Sequence, residues 1–148
     1  MYVFKVRDDR FFIRLELGEE TMHELKSFAS KEGIRAASLR GIGAALAAEV
    51  GFYNLPKQRY EPNAIDEATE VTSLVGNIGR DDNDEPLVHV HATLGRRDGS
   101  VVGGHLLRLE VGATLEIDLE TFPCTIRRSL VPQIGLPLQC GLEADGTS

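Results

Sequence analysis

The chain of 148 residues has no tryptophan, two cysteines and fewer basic than acidic residues, and each shortage excludes something. Cys124 and Cys140 form no Cys-x-x-Cys pair, so neither a disulfide framework nor a zinc knuckle is indicated, and both read as free thiols. Lys and Arg number 16 against 23 Asp and Glu, a formal net charge of −7. Charge-driven binding to nucleic acid needs a basic surface that displaces counterions from phosphates, which this composition does not supply. The pairs Arg96-Arg97 and Arg127-Arg128 are small and read as solvated turn and strand-end residues. No apolar run approaches the roughly 18 residues of a membrane span. The start, Met1-Tyr-Val-Phe-Lys-Val-Arg7, lacks the long apolar region and small-residue cleavage site of a signal peptide. The expectation is a cytoplasmic protein with no membrane partner. Gly41-Ile-Gly43-Ala44 lacks the third glycine and following helix of a dinucleotide fingerprint, and there is no Gly-Lys-Ser/Thr of a phosphate loop, so it reads as a tight turn or bulge.

Histidine is sparse but concentrated. Of four in the chain, three stand in Leu87-Val-His-Val-His-Ala-Thr-Leu94 and Val101-Val-Gly-Gly-His-Leu106. Side chains alternate across a strand, so His89 and His91 share a face if their apolar, β-branched run is extended. Gly95-Arg-Arg-Asp-Gly99 then reads as the turn of a hairpin whose second strand starts at Ser100. Pairing Leu94 with Ser100 sets His89 opposite His105 and His91 diagonal to it, within roughly 5 to 8 Å at Cβ. Three imidazoles so placed leave at least one coordination position open, as a catalytic zinc site does. Gly103 and Gly104 leave a second possibility, since consecutive glycines in a strand often mark a bulge or a close backbone approach, and a bulge turns His105 away. The plainer alternative is that the three are hydrogen-bonded core or interface residues.

Elsewhere the pattern is mostly short strands. Val3 to Val6 and Phe11 to Leu17 flank Arg7-Asp-Asp-Arg10 as a hairpin, with Phe11, Ile13, Leu15 and Leu17 on one face. Met22, Leu25, Phe28 and Ala29 fall at helical spacing, with Gly33 as the stop, and His23 on that helix reads as exposed. Ile34 to Ile42, Ala47 to Asn54, Glu70 to Ile78, Ala113 to Glu120 and Phe122 to Arg128 read as further strands, and Pro56 to Glu67 as a polar connection. Gly79 to Pro86 is acidic but lacks the glycine and terminal glutamate of a calcium loop. The sum is an α+β fold, a twisted and mainly antiparallel sheet with one main helix. Residues 1–142 are expected to form a single domain, with a disordered tail over 143–148.

In this order, Gly41-Ile-Gly43-Ala44, Leu74-Val-Gly76-Asn77, His89-Val-His91, Gly103-Gly-His105 and Ala113-Thr-Leu-Glu116 resemble the PPC domain (plants and prokaryotes conserved), also labelled a PD1-like DNA-binding domain. The resemblance runs from about Phe11 to Leu142. It implies a twisted antiparallel sheet, a homotrimer and, for members with three histidines, a zinc-type metal held by His89, His91 and His105. Plant members carry basic AT-hook arms ahead of the domain and generally lack the third histidine; this chain has no Arg-Gly-Arg-Pro arm and keeps His105. The fold is also similar to acetolactate decarboxylase, an analogy that says little about substrate.

Three functions follow as expectations. The first is a trimeric domain binding a divalent metal, zinc by resemblance, with water or a small molecule at the open position. The second is a metal-dependent lyase or hydrolase acting on a small carbonyl or anionic substrate. In it Glu116 moves protons and Arg40, beside the glycine turn, holds the anion. The third is a DNA-binding or regulatory module.

Overall fold

The computed structural model describes residues 1–144. Hydrophobic alternation builds the first hairpin, β1 (Tyr2–Arg7) with β2 (Arg10–Glu16), and Phe11, Ile13 and Leu15 are buried on its inner face. Leu17 departs from that face: β2 ends at Glu16, Gly18 turns the chain at φ +83°, and Leu17 is exposed. Helix α1 (Thr21–Lys31) starts where the Glu20 carboxylate accepts from the Met22 and His23 N–H groups, and ends before Gly33 at φ +64°. Leu25, Phe28 and Ala29 face inward, and the Phe28 ring meets Phe11 edge-on at 5.4 Å. Each large side chain so buried contributes about 1.5–3 kcal/mol relative to exposure.

The remaining elements are strands: β3 (Ala37–Asn54), β4 (Arg59–Ile65), β5 (Thr69–Arg80), β6 (Pro86–Gly95), β7 (Val101–Thr121), β8 (Cys124–Val131) and β9 (Leu136–Ala144). Two of them are long. The expected strands on either side of Gly41-Ile-Gly43-Ala44 are one strand with register shifts, and so are the expected 100–110 and 113–120 strands. Bulges absorb the breaks in period, which keeps Leu106, Leu109, Val111 and Leu115 all buried although their spacing is uneven. The polar connection 56–67 contains β4, which pairs with the second half of β3. Beyond β8 comes β9, so Glu143 and Ala144, expected in the tail, are strand residues; 145–148 lie outside the described residues. No helix among the described residues is long and apolar enough to cross a membrane.

β3 pairs with β5, β5 with β6, β6 with the start of β7, and β7 with β3, so the pairings close on themselves. They also align one outward-facing row across the sheet: Phe4, Phe12, Asp118, Arg40, Val75, His91 and His105 are successive partners. Directly paired residues point to the same face.

Gly76 fixes how closely β5 approaches β6. A Cβ there would stand 2.1 Å from the His89 carbonyl oxygen and 2.8 Å from Val90 Cα. Gly76→Ala is therefore expected to push β6 outward and cost about 1–3 kcal/mol, read as a lower urea midpoint. A midpoint equal to that of the parent protein would contradict this close approach.

Candidate metal centre

His89 and His91 project from the outer face of β6, and His105 joins them from β7. The register differs from the expected one. Gly95 pairs with Val101 and Leu94 with Val102, which sets His91, not His89, opposite His105. The reason lies in the turn: the Asp98 carboxylate accepts from the Ser100 N–H at 2.9 Å and its hydroxyl at 2.6 Å, drawing Ser100 out of the strand. Gly99 at φ +83° completes the reversal. Gly103 and Gly104 pair in register with Thr93 and Ala92, so they form no bulge. Gly103 instead admits the β6 backbone, since a Cβ there would meet the Ala92 oxygen at 2.5 Å.

The three rings form a nearly equilateral triangle, with centroids 5.2, 5.3 and 5.4 Å apart. One nitrogen from each lies within 4.8 Å of the other two. Tetrahedral zinc with Zn–N of 2.0–2.1 Å sets its ligands about 3.3 Å apart, a contraction that ring rotation can supply. His105 Nδ1 is buried without a hydrogen-bond partner. A buried, unpartnered nitrogen on a ring that stands 5.2 and 5.4 Å from two other imidazoles fits a metal better than it fits a hydrogen-bonded core.

Burial, reinforced by His89, His91 and Arg128, lowers the His105 pKa from 6.5 to about 4. Burial followed by Arg128 and His91 lowers that of His89. Both rings are thus held in the neutral form that ligation requires. Tyr60 of β4 stacks on His105 at 4.4 Å and 17°. Arg128 of β8 approaches from the other side, donating from Nη2 to Asn77 Oδ1 at 2.7 Å, with His89 Nδ1 at 3.1 Å. The turn between β8 and β9 is tied to the β3–β4 turn: Gln58 Nε2 donates to the Pro132 and Gln133 carbonyls, and the Tyr53 hydroxyl to that of Ile134. His91, the exposed member, marks the open side.

Arg40 and Glu116 share the outer face with the histidines but do not join them. Arg40 stands across Val75 from His91, two strand spacings or about 10 Å away. Its guanidinium bonds Asp118 at 2.8 and 3.2 Å. Glu116 pairs with Ile42, one strand further. Both line a hollow of about 780 Å³ with Arg10, Arg14, Phe12 and Val75. The residues that do touch the histidines, Tyr60 and Arg128, lie in segments whose sequence reads as a polar connection and a solvated strand end. For Arg128 the period-two step from buried Ile126 is the available signal.

A sequence model of the Plants and Prokaryotes Conserved (PCC) domain matches residues 4–123. Among solved structures, a plant- and prokaryote-conserved (PPC) protein from Pyrococcus horikoshii is 34% identical over 96% of this chain and 95% of its own, with a TM-score of 0.83. A metal-containing protein from Archaeoglobus fulgidus is also 34% identical, over 95% of this chain and 100% of its own, with a TM-score of 0.82. A proposed DNA-binding protein from Bacteroides thetaiotaomicron is 28% identical over 93% and 94%, with a TM-score of 0.87. At 12% identity and a TM-score of 0.54, a Staphylococcus aureus protein similar to alpha-acetolactate decarboxylase shares the fold alone, over 75% of this chain and 51% of its own. The curated proteins give no match.

The lowered His105 pKa has a signed consequence for the metal-free protein. The unfolded chain binds this proton below about 6.5 and the folded chain only near 4. Stability is therefore full above 6.5 and is lost as pH falls toward 4, by about 1–2 kcal/mol after discounting for a partly exposed ring. His105→Phe, which keeps the stack on Tyr60, is expected to flatten the decline measured by urea unfolding in chelator. Equal slopes in the two proteins would refute the assignment.

Proposed function

Because the chain belongs to the Plants and Prokaryotes Conserved domain family, we propose that it is a metal-binding trimer in which His89, His91 and His105 hold one divalent ion and leave a position to water or a small ligand. The convergence of one nitrogen from each ring within 4.8 Å carries this reading. The Archaeoglobus fulgidus relative, described as metal-containing, supports it. Three imidazoles suit zinc, copper, nickel or iron, and zinc is chosen on resemblance and availability. A bound ion would supply Lewis acidity at its open position. The lyase or hydrolase alternative asks Glu116 and Arg40 to act at the ion, and the Asp118 ion pair of Arg40 weighs against it.

The trimer is assigned to the outer face. Phe4, Phe12, Ile42 and Val75 are 56%, 44%, 61% and 50% exposed around the hollow, an apolar patch of the kind that marks an interface. The row from Phe4 to His105 runs through it, so a neighbouring copy seated there would also wall the histidines. DNA binding, the description of the Bacteroides relative, has less support. Arg10 and Arg40 are paired with Asp118, and Arg35 and Arg127 with Asp84, which leaves little free positive charge at those positions.

Elemental analysis of protein purified without a histidine tag is expected to give one divalent ion per chain. His89→Ala, His91→Ala and His105→Ala should each lower retention at least tenfold, and full metal content in all three variants would overturn the ligand set. Sedimentation of Phe12→Glu is expected to show monomers where the parent sediments as a trimer. A trimeric variant would remove the outer face as the interface.

A further inference from the structure

Arg128 carries a buried charge that its neighbours do not neutralise. It is 6% exposed, and its side chain is directed at neutral groups: Asn77 Oδ1 at 2.7 Å, His89 Nδ1 at 3.1 Å and the Pro137 carbonyl at 3.4 Å. None of the ion pairs found among the described residues includes it, and its Nε is buried without a partner. Arg80, equally buried, differs: its Nε and Nη1 each donate to a carbonyl, of Ile34 and Asp84, at 2.9 Å. A buried guanidinium with an idle donor is costly unless something answers it.

Its contact with His89 is also conditional. A guanidinium has only donors, so the Nδ1 it faces must offer a lone pair, which puts the ring proton on Nε2. Ligation through Nε2 would move a proton to Nδ1, setting donor against donor. Ligation through Nδ1 would take the lone pair itself. In either case the hydrogen bond to His89 is lost, and Nη2, still donating to Asn77, regains a donor next to the idle Nε. Those two N–H groups form the planar fork that binds a carboxylate through two parallel hydrogen bonds. The same event sets a cation beside the guanidinium, and two positive groups in a half-buried site repel unless an anion lies between them.

We propose that Arg128 and the open position at the three histidines together form a receptor for a small carboxylate anion, armed when the histidines are ligated. This deepens the metal-binding reading and rests on it. The β8–β9 hairpin behind Arg128 and the Tyr60–His105 stack on the other flank restrict the ligand to a small one, entering on the His91 side. Arg128 lies outside residues 4–123 that carry the family match, whereas Asn77 and the three histidines lie inside them. Because the carboxylate and the ion each favour the other, the coupling is reciprocal: carboxylate should raise metal affinity by the factor by which metal raises carboxylate affinity.

The test uses the full chain loaded with cobalt(II), whose visible spectrum reports ligand exchange, titrated at constant ionic strength with acetate as the anionic probe and imidazole as a neutral probe of the open position. Arg128→Gln is expected to raise the acetate Kd at least tenfold while imidazole Kd changes less than twofold and cobalt affinity is equal or higher, one repelling charge having been removed. Arg128→Lys, which keeps the charge but lacks the fork, should fall between the two, and it carries the comparison if the glutamine variant does not fold. Cobalt bound with an acetate Kd unaffected by these substitutions overturns the receptor and leaves the metal reading standing. Failure of the parent protein to take up cobalt overturns both.

Discussion

The pairing of β6 with β7 is the constraint on which the site depends. His91 meets His105 because Val90, Ala92 and Leu94 must face inward, where they are 0%, 3% and 0% exposed. A slip of one residue would reverse every side chain of β6, burying the two imidazoles and exposing those three apolar groups. At about 1.5–3 kcal/mol for a Val or Leu brought out of the core, that alternative costs several kcal/mol before the imidazoles are considered. The core therefore sets the position of the histidines, with glycines at 76 and 103 where neighbouring backbones leave no room for a Cβ. The face on which they stand needs no metal to define it.

How much of this was legible in the sequence depends on whether the signal was local. The shared face of His89 and His91 follows from period two alone, and the structure keeps it. The partner of His105 is not legible in the same way, because the glycines suggest one turn length whereas the Asp98 side chain decides where Ser100 sits. β3 and β7 each looked like two strands because bulges interrupt their alternation. Tyr60 and Arg128 are hidden for a different reason. The β3–β4 hairpin that carries Tyr60 is local, but it reaches His105 only because β3 also pairs with β7, and Arg128 arrives through β8 beside β5; neither long-range pairing lies within one window of sequence. Arg40 and Glu116 were attractive as chemistry, and they do share a face with the cluster, but cross-strand pairing assigns Arg40 to Asp118.

Charge is distributed unevenly over that face. Asp118 holds Arg10 and Arg40, and those two guanidinium groups keep its carboxyl below the usual carboxylate range. Asp84 does the same for Arg35 and Arg127. At the histidines the corresponding position beside Arg128 is filled by Asn77, which accepts a hydrogen bond and brings no charge. A chain of net charge −7 thus holds a small, mostly buried cationic spot. With a Debye length of about 8 Å at physiological salt, the distant carboxylates are screened and the local charge governs what binds.

That local charge opposes a metal ion, so the histidine cluster must outweigh it. The comparison of magnitudes is one-sided. Apparent binding free energies of structural zinc in small protein sites run to about 10–16 kcal/mol, and even a three-imidazole site well below that range exceeds the ~1 kcal/mol net worth of one hydrogen bond between Arg128 and His89. Displacing the guanidinium is therefore a small cost against ligation, whereas leaving it displaced and unanswered beside a dication is a larger one. The imbalance is relieved at lowest cost by an oxyanion shared between the two, and the same argument explains why an asparagine suits position 77 better than an aspartate: a fixed carboxylate there would neutralise Arg128 permanently and leave nothing for a ligand to satisfy.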